Sequence, residues 1–171
     1  MYISFLRGIN VSGKNKIEMK ALKHLYETLG FSDVETYLNT GNVIFSTSLK
    51  KEDIESKIEG GILSEFDLNI EVIIRSKDEL RLLIESYPFG HEGKNRYMTL
   101  LKTDSKAYDK EKLIAASKSS DKVVIGSKEI MLYIPDGYGK SKLTNLFFEK
   151  LTSTSATTRN MNTLEKVFKK M

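Results

Sequence analysis

The chain has 171 residues, enough for one ordinary domain or two small ones, and its 40% hydrophobic and 29% charged side chains exclude intrinsic disorder. It has no cysteine, which excludes disulfides, thiolate chemistry and a cysteine-held zinc. The net charge of +4 is too mild to name a partner, and no apolar run approaches the roughly 20 residues that cross a bilayer.

Met1 to Arg7 lacks the charged start and long apolar stretch of a secretory signal, so the expected location is the cytoplasm. Tyr2 to Arg7 reads as a strand. Both of its alternating faces carry large apolar groups, as in a central strand covered on both sides. Gly8 to Lys16 reads as a loop. Met19, Leu22, Tyr26 and Leu29 recur at helical spacing, and Gly30 is a helix stop. Val34 to Asn39 and Val43 to Ser46 read as strands joined by the tight turn Thr40-Gly41-Asn42. Ile54, Ile58, Ile62 and Phe66 mark a helix interrupted at Gly60-Gly61, and Asn69 to Arg75 is a fourth strand. The order β-α-β-β-α-β over residues 1–76 predicts a ferredoxin-like plait.

Residues 77–171 read as a second, imperfect α/β plait with C-terminal helices. Ser76-Lys77-Asp78-Glu79 is a capping box that opens a helix. Arg96 to Lys102 is a strand, Asp109 to Lys118 a short helix, and Val123 to Ile125 with Ile130 to Ile134 a hairpin. Leu143, Leu146, Phe147 and Leu151 mark a helix. Thr152 to Thr158 is a serine- and threonine-rich connector, and the final helix carries Met161, Leu164 and Phe168, with Asn162 and Glu165 fitting a cap. The expected fold class is α+β, with two ferredoxin-like plaits packed together.

In a plait with strand order four-one-three-two, the loop leaving strand one and the hairpin joining strands two and three share one end of the sheet. That topology brings Arg7, Asn10, Lys14, Asn15 and Lys16 close to Asn39, Thr40 and Asn42. The first loop also precedes a helix N-terminus, which favours anions. Charge is distributed to match. Arg7 to His24 carries five basic side chains against Glu18 alone, and Gly139 to Met171 carries seven against two, whereas Thr47 to Glu92 carries six basic against eleven acidic groups.

Three motifs also carry a resemblance. Leu6-Arg7-Gly8-Ile9-Asn10-Val11-Ser12-Gly13-Lys14-Asn15-Lys16, Thr36 to Phe45, and Thr157-Thr158-Arg159-Asn160-Met161-Asn162-Thr163 resemble, in this order, motifs of the bacterial family catalogued as domain of unknown function 1697. The resemblance implies paired α/β plaits and no established reaction. Ser12 stands where the family commonly has glycine, Asn39-Thr40 where it has glutamine-serine, and Met161 where it has tryptophan.

Each candidate has a second reading. Arg7 can hold an anion through its planar fork or pair with a carboxylate. Asn10, Asn15 and Asn42 can contact a ligand or serve as turn residues, and Asn15 with Glu18 can cap the first helix. Arg159 and Asn160 join the site only if the serine-threonine stretch wraps back to it. His24 and His91 have no partner at metal-ligand spacing, so no metal and no cofactor is expected. Gly137-Tyr138-Gly139-Lys140-Ser141 contains Gly-Lys-Ser but has Ile134 where a phosphate-binding loop needs its first glycine. The leading reading is a small anionic ligand (a nucleotide, sugar phosphate or other phosphate or carboxylate compound) bound by Arg7, Asn10, Lys14, Asn15, Lys16, Asn39, Thr40, Asn42, Arg159 and Asn160. The alternative is a plait that binds single-stranded nucleic acid, against which stands the absence of a base-stacking aromatic motif. No nucleophile–base set or carboxylate pair emerges from the spacing, so catalysis stays open, and so does pairing through edge strands.

Overall fold

The structure is a computed structural model that describes residues 1–90, 93–105 and 107–171. The described residues form a mixed α+β protein with two four-stranded antiparallel sheets and six α-helices. Chain contacts divide it into two units, Met1–Arg81 with Val167–Met171, and Leu82–Lys166.

The first sheet holds β1 (Tyr2–Leu6), β2 (Ser32–Tyr37), β3 (Asn42–Ser46) and β4 (Val72–Ser76), in the order β2-β3-β1-β4. Helices α1 (Met19–Thr28) and α2 (Lys51–Phe66) cover one face. Leu6, Val43, Phe45, Val72 and Ile74 pack there against Leu22, Tyr26, Ile54, Ile58 and Ile62. Each of the three isoleucines is fully buried and contributes about 2 kcal/mol of apolar burial. Ile3 and Phe5, on the opposite face, are buried as well, so β1 is covered on both sides as its sequence requires. Ser4, also fully buried, meets the Tyr26 hydroxyl at 2.8 Å.

The expected break in the second helix is absent, and α2 runs through Gly60 and Gly61. Gly61 is the contact point with α1. A Cβ there would meet Leu29 Cδ1 at 3.0 Å and Leu25 Cδ1 at 3.3 Å. The glycine therefore serves close helix approach while Ile58 and Ile62 on either side hold the helix to the sheet.

The capping box is present at the start of α3 (Lys77–Glu85). Ser76 N–H donates to Glu79 Oε2 at 2.7 Å, and Glu79 N–H donates to Ser76 Oγ at 3.1 Å. Lys51 Nζ donates to both Glu79 oxygens, at 2.9 and 3.1 Å. Burial raises the Glu79 pKa, but the bonds from Lys51 and the Ser76 amide outweigh it and hold the carboxyl below its ordinary value. Glu79→Gln is expected to cost about 1 kcal/mol at neutral pH, the usual worth of a helix cap. Because the folded-state pKa is lowered, the penalty is full above the ordinary carboxylate range and fades as pH falls through the folded value. Urea melts of both proteins at neutral and acidic pH check this, and a gap that widens on acidification contradicts it.

The second sheet holds β5 (Arg96–Leu101), β6 (Lys122–Ile125), β7 (Glu129–Tyr133) and β8 (Ala156–Asn160), ordered β6-β7-β5-β8. Its core gathers Leu101, Ile130, Leu132, Ile134, Leu143 and Phe148 beside α4 (Lys110–Ala116) and α5 (Asn145–Thr152). The serine-threonine segment is thus not a plain connector, because its last three residues begin β8, paired antiparallel with β5. Hydroxyls bind it there. Thr158 Oγ1 lies 2.6 Å from Thr99 Oγ1, and it donates to Asn145 Oδ1 at 2.5 Å. The last helix, α6 (Met161–Lys170), follows directly. Asn160 Oδ1 caps it by accepting from Asn162 N–H at 2.9 Å. The expected Asn162–Glu165 cap is absent because both side chains accept from Arg96 instead, at 3.0 and 3.1 Å.

Candidate functional site

β1 and β3 are neighbours, so the loop leaving β1 and the β2–β3 hairpin meet at one end of the first sheet. Leu6 N–H donates to Gly41 O at 2.8 Å, and Asn10 Nδ2 donates to Asn39 O at 2.9 Å. Asn10 also clasps Ile17 on both backbone groups: its Nδ2 donates to Ile17 O at 2.9 Å and its Oδ1 accepts from Ile17 N–H at 3.0 Å. This side chain joins three segments, the loop, the entry to α1 and the hairpin. It does so from a left-handed backbone, φ 53°, which asparagine tolerates better than most residues.

Asn15 and Asn42 are braces too. Asn15 Nδ2 donates to Gly8 O at 3.0 Å and so does not cap α1. Asn42 is fully buried, and its Nδ2 donates to Tyr37 O at 2.8 Å and Thr40 Oγ1 at 2.9 Å. Arg7, partly exposed, has its Nε 3.9 Å from Glu71 Oε2, the carboxylate-paired reading of that residue. Lys14, Lys16 and Asn39 are exposed, and among the described residues neither lysine forms an ion pair.

Arg159 and Asn160 lie in the second unit, not the first. Arg159 Nη1 donates to Thr157 Oγ1 at 2.7 Å and Thr158 O at 3.0 Å. Burial lowers its pKa to about 10, so the guanidinium is cationic at neutral pH. Asn160 is the α6 cap described above. His91 lies outside the described residues. Among those described, no three His, Asp or Glu side chains gather as metal ligands.

Between the loop and α1 is an open cleft of about 830 Å³. Asn10, Lys16 and Asn39 line it, as do Glu18, Met19 and Lys20. Glu18 is the N-cap residue of α1, yet its side chain makes no capping bond, and the first turn of the helix carries no acid. Leu22 N–H bonds Glu18 O, so the amides of Met19, Lys20 and Ala21 precede the first intrahelical bond. The cleft therefore combines two ammonium groups, a helix N-terminus and one carboxylate. That set can bind an anion that also carries hydrogen-bond donors.

Lys20 and Glu18 line the cleft from outside the loop motif. The sequence signal for Lys20 is its place in a basic run: Lys16, Lys20 and Lys23 recur every three or four residues across the start of the helix.

A family model described as a protein of unknown function, DUF1697, matches residues 1–131. The chain belongs to the DUF1697 family. Both first-sheet motifs fall within the match, and the C-terminal motif around Arg159 falls beyond it. A solved structure, that of the conserved bacterial protein SP0830 from Streptococcus pneumoniae, is similar with a TM-score of 0.73 and 24% identity, covering 99% of this chain and 97% of that one. At that identity the likeness establishes the fold of this DUF1697 member. No curated protein matches it. No helix among its described residues is long and apolar enough to cross a membrane.

Proposed function

We propose that this DUF1697 protein binds a small anionic ligand, a nucleotide, sugar phosphate or other phosphate or carboxylate compound, in the cleft beside α1. The observation that carries this reading is the gathering of Lys16, Lys20 and the uncapped start of α1 around one depression of about 830 Å³. That volume suits a ligand of nucleotide size. In this reading the anion sits between the two ammonium groups and the helix amides, and Glu18 and Asn39 meet hydroxyl or amino groups of the ligand. Asn10, Asn15, Thr40 and Asn42 hold the two loops in place, and Lys14 adds charge at the rim. The framework is a pair of ferredoxin-like plaits, residues 1–76 and 77–171, in a cytoplasmic protein.

Thermal-shift and isothermal titration screens with nucleoside monophosphates, sugar phosphates and dicarboxylates test the reading. A cognate compound stabilises the wild type, and the double variant Lys16→Glu, Lys20→Glu binds it at least about tenfold more weakly, roughly 1.4 kcal/mol for the two reversed charges. If no compound stabilises the wild type more than the double variant, the reading is wrong. Single-stranded nucleic acid would engage the same lysines. It would show itself by affinity that falls steeply with salt, which a single bound phosphate does not produce.

A further inference from the structure

We infer that the chain forms a two-fold dimer through β6, whose free edge is complementary to itself. In the second sheet β6 is terminal and pairs only with β7. Gly126 N–H donates to Glu129 O at 2.8 Å. The alternation of an antiparallel ladder then directs the backbone groups of Val124 and Lys122 toward β7, and those of Val123 and Ile125 away from it. No described residue bonds these outward groups.

A second copy fits this edge in one register above others. With the two-fold axis at Val124, Val123 pairs with Ile125 of the second copy, and Ile125 with its Val123. All four outward N–H and all four outward C=O groups of the two strands then face partners, giving four backbone bonds. Opposed side chains also fall on the same face of the joined sheet, as pairing requires. Val123 and Ile125 are on the helix-covered face in both copies. Val124, 43% exposed, meets its own counterpart across the axis as a non-hydrogen-bonded pair, the closest side-chain spacing in a sheet.

The surroundings agree. Lys122 would stand opposite Gly126 of the second copy, so no like charges oppose. Its Nζ lies 5.8 Å from the centre of the Tyr133 ring and so is drawn toward β7, whereas an edge-guarding lysine stands over the free edge. Beside the strand, Ile114 on α4 is 73% exposed. With Leu113 and Val123 it lines a depression of about 410 Å³, apolar surface that a second α4 brought alongside would cover. Of the other terminal strands, β2 is blunted by a register shift between Ser32 and Glu35 and by the Lys170–Glu35 ion pair.

Sedimentation analysis of the full chain over a wide concentration range tests the dimer. The wild type is expected to approach twice the monomer mass at high concentration. Val124→Lys and Val124→Glu each place like charges across the axis and should remain monomeric, while their equimolar mixture should recover the dimer. Because the chain has no cysteine, Val124→Cys should form a disulfide-linked dimer on mild oxidation. Leu63→Cys, at an exposed site on α2, should not. A monomeric wild type at all concentrations overturns the inference and leaves the edge for a strand of a different protein, as does a Val124→Lys variant that dimerises like the wild type.

Discussion

Gly41→Ala is expected to destabilise the protein by about 3 kcal/mol, more than any other glycine-to-alanine change in the two loops. Two costs combine there. The backbone φ is +75°, and a Cβ would stand 2.7 Å from Leu6 Cβ and 2.8 Å from Ile9 Cδ1. Leu6 and Ile9 are both buried, so neither can swing aside, and Leu6 is tied to Gly41 by its own backbone bond. Gly13 supplies the control. Its φ is +76°, yet nothing lies within 4 Å of a Cβ there, so Gly13→Ala should cost only the conformational term, about 1 kcal/mol. Denaturant melts of the two variants separate the effects. Equal losses would mean that the hairpin tip does not close on β1. Gly41→Ala should also weaken any cleft ligand, because pushing the hairpin away strains the Asn10–Asn39 bond.

The hairpin around Gly41 could be read in advance because its signal is local: a turn triplet between two β-branched runs. The Ser76–Glu79 capping box and the Gly30 stop were readable for the same reason. β8 was not. Ala156-Thr157-Thr158-Arg159-Asn160 has no apolar alternation, and it becomes a strand because β5 offers it a ladder and Thr99 and Asn145 offer hydroxyl partners. The roles of Asn10 and Asn42 were half visible. Their residue type pointed equally to a ligand and to a turn, and only the positions of Ile17, Asn39 and Tyr37 decide for bracing. Lys20 falls outside the predicted site because the loop motif ends at Lys16 while the cleft continues onto the first turn of α1. Arg96 carried no sequence signal at all, since its carboxylate and amide partners lie 69 and 66 residues away.

That arginine is the site of the other large effect. Arg96 is 2% exposed, and a buried guanidinium is tolerated only when its donors are met. Here they are. Nε donates to Gly93 O and Nη1 to Gly90 O, each at 3.3 Å, Nη1 also donates to Glu165 Oε1, and Nη2 to Asn162 Oδ1. The guanidinium lies 5.9 Å from the centre of the Tyr87 ring, whose hydroxyl is raised to about 12 by burial and donates to Leu132 O. One side chain thus fastens the start of β5 to the first turns of α6 and to the chain ahead of the strand. Arg96→Met fills the volume but leaves Glu165, Asn162 and two carbonyls without their donor. The expected loss is about 3 kcal/mol, or near 10 °C in Tm for a chain of this size. Arg96→Lys keeps the charge and loses the fork, so it should fall between the wild type and Arg96→Met. Glu165→Gln retains an acceptor for Nη1 and should cost less than either, because Glu165 is partly exposed and can rehydrate. Thermal and urea melts of the three variants establish the order. If Arg96→Met costs less than about 1 kcal/mol, the guanidinium is not the fastening point, and the β5–α6 junction is held by apolar packing alone.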